Sequence, residues 1–457
     1  MGQLLRVVAS FTDDQGFANQ VASAATSGVG ALVVGTAGND VLSGTAFSDQ
    51  IQGLDGNDIL NGLAGDDILD GGAGIDTLRG GLGADRMLGG LGNDVYEVNH
   101  TGDTVVELVG EGSDTVWTSL LNYTLTENVE NLVYSGSGNF TGTGNALANS
   151  IMGGVGNDVL SSGDGNDVLQ GSAGIDTLRG GLGADMMLGG LGNDVYEVNH
   201  TGDTVVEFAG EGADTVWTSL LNYTLTANVE NLVYSGSGNF TGTGNALANS
   251  IMGGVGNDVL SSGDGNDVLQ GSAGIDTLRG GLGADMMLGG LGNDVYEVNH
   301  TGDTVVEFAG EGADTVWTSL LNYTLTANVE TLVYSGSGNF TGTGNALANS
   351  IMGGVGSDTL RGGAGNDILI GGLGNDTFVF GAGFGQDRVM DFDANPVGGQ
   401  DRIDIAGMGI TAATFAANVA ITDVGADTRV AIGANSITLV GVADATSVTQ
   451  TDFTLAV

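Results

Sequence analysis

Between residues 35 and 97, glycine-rich hexads alternate with triplets centred on a large apolar residue at a period of nine residues. The stretch divides without remainder into seven units: GTAGNDVLS, GTAFSDQIQ, GLDGNDILN, GLAGDDILD, GGAGIDTLR, GGLGADRML and GGLGNDVYE. Position eight is large and apolar in each: Leu42, Ile51, Leu60, Leu69, Leu78, Met87 and Tyr96. Position six is always aspartate, and position four is glycine in six of the seven. Positions seven to nine predict a very short strand whose middle side chain points inward while its neighbours face water. The first six positions predict a turn, because glycine reaches positive φ and has no Cβ to hold a second chain away. A single unit buries almost nothing, so two strict columns at one period predict stacked coils of a solenoid.

The polar column carries candidate chemistry. An aspartate beside glycine carbonyls is a hard-oxygen environment suited to Ca2+, which takes six to eight oxygen ligands. The turn of one coil and the turn stacked on it would together surround each ion. The nonapeptide GGxGxDxUx resembles the repeat of the bacterial repeats-in-toxin (RTX) proteins, and it recurs in phase at 153–197, 253–297 and 353–379. That resemblance implies an all-β fold, a right-handed parallel β-roll or β-solenoid with two units per coil and Ca2+ held between adjacent turns on each edge. The metal ligands would be the twenty in-register aspartates: Asp40, Asp49, Asp58, Asp67, Asp76, Asp85 and Asp94 first. Asp158, Asp167, Asp176, Asp185 and Asp194 follow, then Asp258, Asp267, Asp276, Asp285 and Asp294, and finally Asp358, Asp367 and Asp376.

A second period of 100 residues overlies the first. Residues 151–200 and 251–300 are identical, and 201–250 differs from 301–350 only in Asn231 against Thr331. Between the glycine-rich blocks lies 98–151, rich in Thr, Tyr, Val and Trp, as strands favour. It parses as further coils with Val105, Val116, Leu125 and Ile151 inward and most calcium turns missing; an inserted globular domain is the alternative. Asn122, Asn128, Asn131, Asn145 and Asn149 would satisfy turn carbonyls and amides where no ion does. The parse gives eleven units per 100 residues, an odd number. Successive copies should therefore begin on opposite edges, placing Asp176 and Asp276 on opposite sides.

Three regions are expected. Residues 1–34 form a short N-terminal cap or assembly segment, 35–379 the solenoid, and 380–457 a β-rich C-terminal cap containing Pro396, the single proline. The segment from Phe384 resembles the one that follows the last coil in secreted RTX proteins. The last six residues, DFTLAV, resemble their uncleaved type I secretion signal.

Composition narrows the function. A formal charge of −46, with nine arginines as the only Lys/Arg cations, leaves nothing to neutralise phosphates, so nucleic acid is excluded as a partner. Self-repulsion at this charge should expand the metal-free chain, making calcium a folding ligand. There is no cysteine, no N-terminal basic and apolar leader, and no apolar run long enough for a transmembrane helix. Weak calcium sites would fill only at the roughly 10⁻⁴–10⁻³ M of extracellular modules. A secreted, extracellular or cell-surface location through type I secretion machinery is therefore expected from the resemblance.

No catalytic constellation stands out. His100, His200 and His300 recur in one context, VNHTGD, and read as surface turn residues. Neither H-E-x-x-H nor G-x-S-x-G occurs. Met87, Met187 and Met287 fall in the inward column as core filler. Trp117, Trp217 and Trp317 read either as strand packing or as a sugar-stacking ladder. The expected role is a non-enzymatic, calcium-dependent structural protein that self-assembles as a homo-oligomer or polymer (surface layer, filament or matrix). The alternative is an adhesin for a cell-surface polysaccharide or host surface, with a polysaccharide-acting enzyme behind both.

Overall fold

The computed structural model describes residues 8–12, 18–22, 28–394 and 400–457. Pro396 and most of the N-terminal segment lie outside these residues. The chain forms two compact units, 1–217 and 218–457. The fold is an all-β parallel β-solenoid with a mixed-sheet C-terminal region.

In the first unit, a ten-stranded parallel sheet runs from Val41–Ser43 to Thr204–Val206, taking every second strand of the chain. The intervening strands make the other face: a five-stranded sheet from Leu32–Val34 to Thr104–Val106, then strands beginning with Asn122–Thr124. Two strands per turn follow directly from the nine-residue unit, since eighteen residues return the chain to its own edge. Position-eight side chains align across the coils. Leu60 pairs with Leu78, Leu78 with Tyr96, Tyr96 with Val116, Val116 with Leu132 and Leu132 with Ile151. All six are buried to within 1%. The core is thus a file of single apolar residues, with no globular centre.

Residues 98–151 contribute Thr104–Val106, Thr115–Thr118, Asn122–Thr124, Asn131–Tyr134 and Thr141–Thr143 to these same sheets. They continue the coils. Val105, Val116, Leu125 and Ile151 are all buried, as are Met87, Met187 and Met287. The expected asparagine bonds form at four of five positions. Asn145 Nδ2 donates to the carbonyls of Thr126 and Val129, Asn149 Nδ2 to Val129, Asn128 to Glu107, and Asn131 to Asp114.

Thr177–Leu182 is the eleventh strand after Thr77–Leu82, and Thr377–Val379 the eleventh after Thr277–Leu282. The odd count acts as expected inside each unit. The strand after Asp76 belongs to the ten-stranded sheet and the strand after Asp176 to the opposing face. In the second unit, the strand after Asp276 lies in a thirteen-stranded sheet and the one after Asp376 in a six-stranded sheet.

The coil pattern does not stop at 379. Gln386–Val389 pairs in parallel with Ile368–Leu373, and Arg402–Asp404 with Thr377–Val379. Only then does the direction change. Asn435–Leu439 adds in parallel, and Asp427–Ile432 and Val419–Val424 fold back antiparallel. Phe453–Thr454, within the C-terminal hexapeptide, pairs with Arg402–Asp404. Its Phe453 ring is buried 4.9 Å from that of Phe415.

Candidate metal sites along the aspartate columns

The turn chemistry places the carboxylates. Gly74, at position four, has φ 139°, and a Cβ there would run into the carbonyl of Gly56 in the previous coil. The chain can stack this closely only because that atom is missing. Immediately after such a corner, the position-six aspartate turns inward rather than out to water.

Nineteen of the twenty sequence-identified aspartates are buried; Asp40, on the first coil, is partly exposed. Each column is stitched by one repeated bond. The backbone N–H of Asp40 donates to Asp58 Oδ1 at 2.7 Å, that of Asp58 to Asp76 at 2.7 Å, and that of Asp76 to Asp94 at 2.7 Å. Asp49, Asp67 and Asp85 do the same on the other edge. In the next copy Asp158, Asp176 and Asp194 form one column and Asp167 and Asp185 the other. The second unit repeats the arrangement through Asp258, Asp276 and Asp294, Asp267 and Asp285, and Asp358 and Asp376.

The second carboxylate oxygen is the informative one. Oδ2 of Asp58, Asp67, Asp76, Asp85 and Asp94 is buried and accepts no hydrogen bond. Its neighbours are acceptors too. The space that a Cβ on Gly53 would fill is bordered by Asp58 Oδ2 and the Gly71 carbonyl oxygen, and Gly171 stands likewise against Asp176 Oδ2 and the Gly189 carbonyl. Buried acceptors facing one another without a donor are costly unless a cation joins them. The donor set of carboxylate and carbonyl oxygens fits a hard divalent ion. Desolvation raises the carboxyl of Asp176 to about 6 and those of Asp94 and Asp276 to about 7. Backbone hydrogen bonds partly oppose that rise, and charges of column neighbours add to it.

Asn149 provides an internal contrast at the same position. It is buried, its Oδ1 accepts from the Asn145 N–H, and its Nδ2 donates to carbonyls of the preceding coil. An amide satisfies its corner from within; a carboxylate there cannot.

The columns also include residues that the nonapeptide pattern misses. Asp103, Asp114 and Glu130 accept the N–H groups of Asp85, Asp94 and Asp114. Asp387 and Asp401 accept those of Asp367 and Asp376. Asp103 and Asp114 keep an aspartate two residues before an inward valine, a signal masked by the loss of glycines and a two-residue insertion. Glu107 carries no such signal. It lies with Asp94 and Asp114 in a buried group whose ligand atoms are within 4.8 Å of one another, and the group recurs as Asp194–Glu207–Asp214 and Asp294–Glu307–Asp314. Burial, then the charges of Asp114, Asp94 and Glu111, push Glu107 up to about 9.

The remaining candidates fall outside this geometry. His100 is an exposed turn residue whose Nδ1 accepts from the Gly102 N–H. Trp117 and Trp317 sit on outward faces, half exposed, in register with Glu97 and Val133 and with Glu297 and Val333. They do not pack in the core.

Stacked corners of buried carboxylates and carbonyls, held by a parallel solenoid, define a multi-site cation-binding repeat protein. A family model for the RTX calcium-binding nonapeptide repeat matches residues 34–69, 61–96, 143–174, 161–196, 243–274, 261–296 and 343–386. The chain is an RTX calcium-binding nonapeptide repeat protein, and such repeats bind Ca2+. Among solved structures it is similar to the AlgE6R3 subunit of the Azotobacter vinelandii mannuronan C5-epimerase. That similarity has 27% identity and a TM-score of 0.21, over 30% of this chain and 80% of that one. It is also similar to the extracellular lipase LipA of Serratia marcescens, with 20% identity and a TM-score of 0.19, over 54% of this chain and 45% of that one. Comparison with curated proteins gives no match. Among the described residues, no helix is long and apolar enough to cross a membrane.

Proposed function

We propose that the position-six aspartates are calcium ligands and that the chain is an extracellular structural protein that folds on Ca2+ and then self-assembles. One observation carries the calcium part: buried Oδ2 atoms without donors face backbone carbonyls at corner after corner. Calcium binds only the stacked form, so it draws a strongly anionic chain into the solenoid. RTX proteins are typically secreted, and the millimolar calcium found outside cells supports this reading.

Support for a structural role comes from repetition. A 100-residue segment copied nearly unchanged multiplies one surface, which suits assembly better than a single reaction centre. Glycan binding is the second reading, and the outward, half-exposed Trp117 and Trp317 favour it. Adding millimolar Ca2+ to the chelated full chain, followed by circular dichroism and negative-stain microscopy, tests both. Gain of strand signal with ordered polymers is the expected result. Dispersed monomers retained on immobilised polysaccharide would replace assembly with adhesion, and a metal-free chain already as strand-rich as the loaded one would refute calcium-driven folding.

A further inference from the structure

Asp94, Glu107 and Asp114 do not repeat the ordinary corner. In the ordinary corner the column aspartates meet glycine carbonyls. Here a glutamate stands where the unit's first glycine would be, and it brings a third acid to Asp94 and Asp114. The three residues are each at least 95% buried, and Asp94 Oδ2, Glu107 Oε2 and Asp114 Oδ2 have no hydrogen-bond donor. The copy at Asp294, Glu307 and Asp314 has the same donorless oxygens. The other Glu107 oxygen accepts from the Tyr96 hydroxyl, which fixes the carboxylate's orientation. In the later copies the hydroxyl is itself held by a glycine N–H, Gly189 or Gly289, at 2.8 Å.

We propose that each 100-residue repeat carries its own high-affinity Ca2+ site made by Asp94, Glu107 and Asp114, or by their equivalents, and that these three sites fill before the ordinary corners. Affinity in oxygen-ligand sites rises with the number of ligand charges and with rigidity. This site adds a third carboxylate, Glu107, to a pair of column aspartates of the kind the ordinary corners already have, and that glutamate is clamped by a buried tyrosine. One tight site per repeat would nucleate the local coils before the weaker corners load. The inference shares Asp94 with the reading above but rests on Glu107 and Asp114.

The test uses the full chain and Ca2+ alone. Equilibrium dialysis of the wild type should resolve a tightest class of three ions per chain, one for each group. In the E107Q/E207Q/E307Q variant that class should weaken at least about tenfold, while the later calcium-driven gain of strand signal persists. An unchanged tight class would overturn the proposal. If the variant fails to fold, Y96F/Y196F/Y296F supplies a second readout. Tb3+ placed in these sites sits beside the tyrosine, so ultraviolet-excited terbium emission should fall severalfold in this variant with the calcium count unchanged. Undiminished emission would place the ion elsewhere and overturn the proposal. Loss of the later phase with the tight class intact would instead sink the general corner reading alone.

Discussion

The backbone N–H of Asn149 donates to Asp167 Oδ1 at 2.7 Å, so a neutral residue is a link in a column otherwise built from acids. The ladder of backbone-to-carboxylate bonds needs only the first oxygen. What distinguishes Asp167 from Asn149 is the second oxygen, which is buried and without a donor in the aspartate, whereas an amide NH2 takes its place in the asparagine. Fold and metal binding are therefore separable at a single atom.

Asp276→Asn should act accordingly. Its Oδ1 keeps the Asp258 N–H, and its new NH2 faces the Gly289 carbonyl beside Gly271. In chelator the variant should unfold at higher denaturant, by on the order of 1–3 kcal/mol, because an unsatisfied buried group is removed. In calcium it should bind ions more weakly, as read by titration calorimetry. Tighter binding would contradict the assignment.

Acid should substitute for calcium. Burial is the main cause holding Asp94 up to about 7 and Glu107 up to about 9. A carboxyl with a higher pKa in the folded chain binds more protons when folded. Its contribution is fully present below the unfolded value and is lost as pH rises through the folded one. With chelator present, strand content by circular dichroism should increase as pH falls from about 9 to about 4. Over the same window calcium affinity should decrease, since protons compete for the same oxygens. A chelated chain insensitive to pH would argue against donorless carboxylates.

Backbone strain sits at position two where Leu54, Leu63, Ser172 and Ser272 replace glycine, each with positive φ. Leu63 has φ 79° and is half exposed, so it pays the left-handed penalty with little burial in return. Leu63→Gly should stabilise by about 0.5–1 kcal/mol in calcium. Gly74→Ala should do the reverse, costing roughly 1–3 kcal/mol, because its φ is 139° and the added carbon meets the Gly56 carbonyl. Thermal unfolding of both variants distinguishes strain from composition.

The thin core makes every inward residue count. Leu178 is fully buried between Leu160 and Tyr196 of the neighbouring coils. Leu178→Ala should lower stability by about 2–5 kcal/mol, measured by denaturant melts at saturating calcium. A loss below that range would mean the adjacent coils close over the gap.

Much was readable before any coordinates. A period of nine with one apolar and one acidic column forces short strands, inward aliphatics and stacked corners, because no other arrangement hides the column's side chains. The odd number of units per 100 residues also determined that successive copies begin on opposite edges, as the strands after Asp76 and Asp176 do. Local pattern decided these matters, so sequence carried them.

Tertiary structure alone decided the rest. Asp387 and Asp401 extend the columns beyond 379, and Asp103 and Asp114 bridge the stretch where the nonapeptide glycines are lost; each is placed by the coil beneath it rather than by its own neighbours. Glu107 reaches Asp94 and Asp114 only because the coils bring together residues that lie 13 and 7 positions from it in the chain. A stacked fold makes its sites between turns, and the distance across that gap is a property of the stack, not of any one repeat.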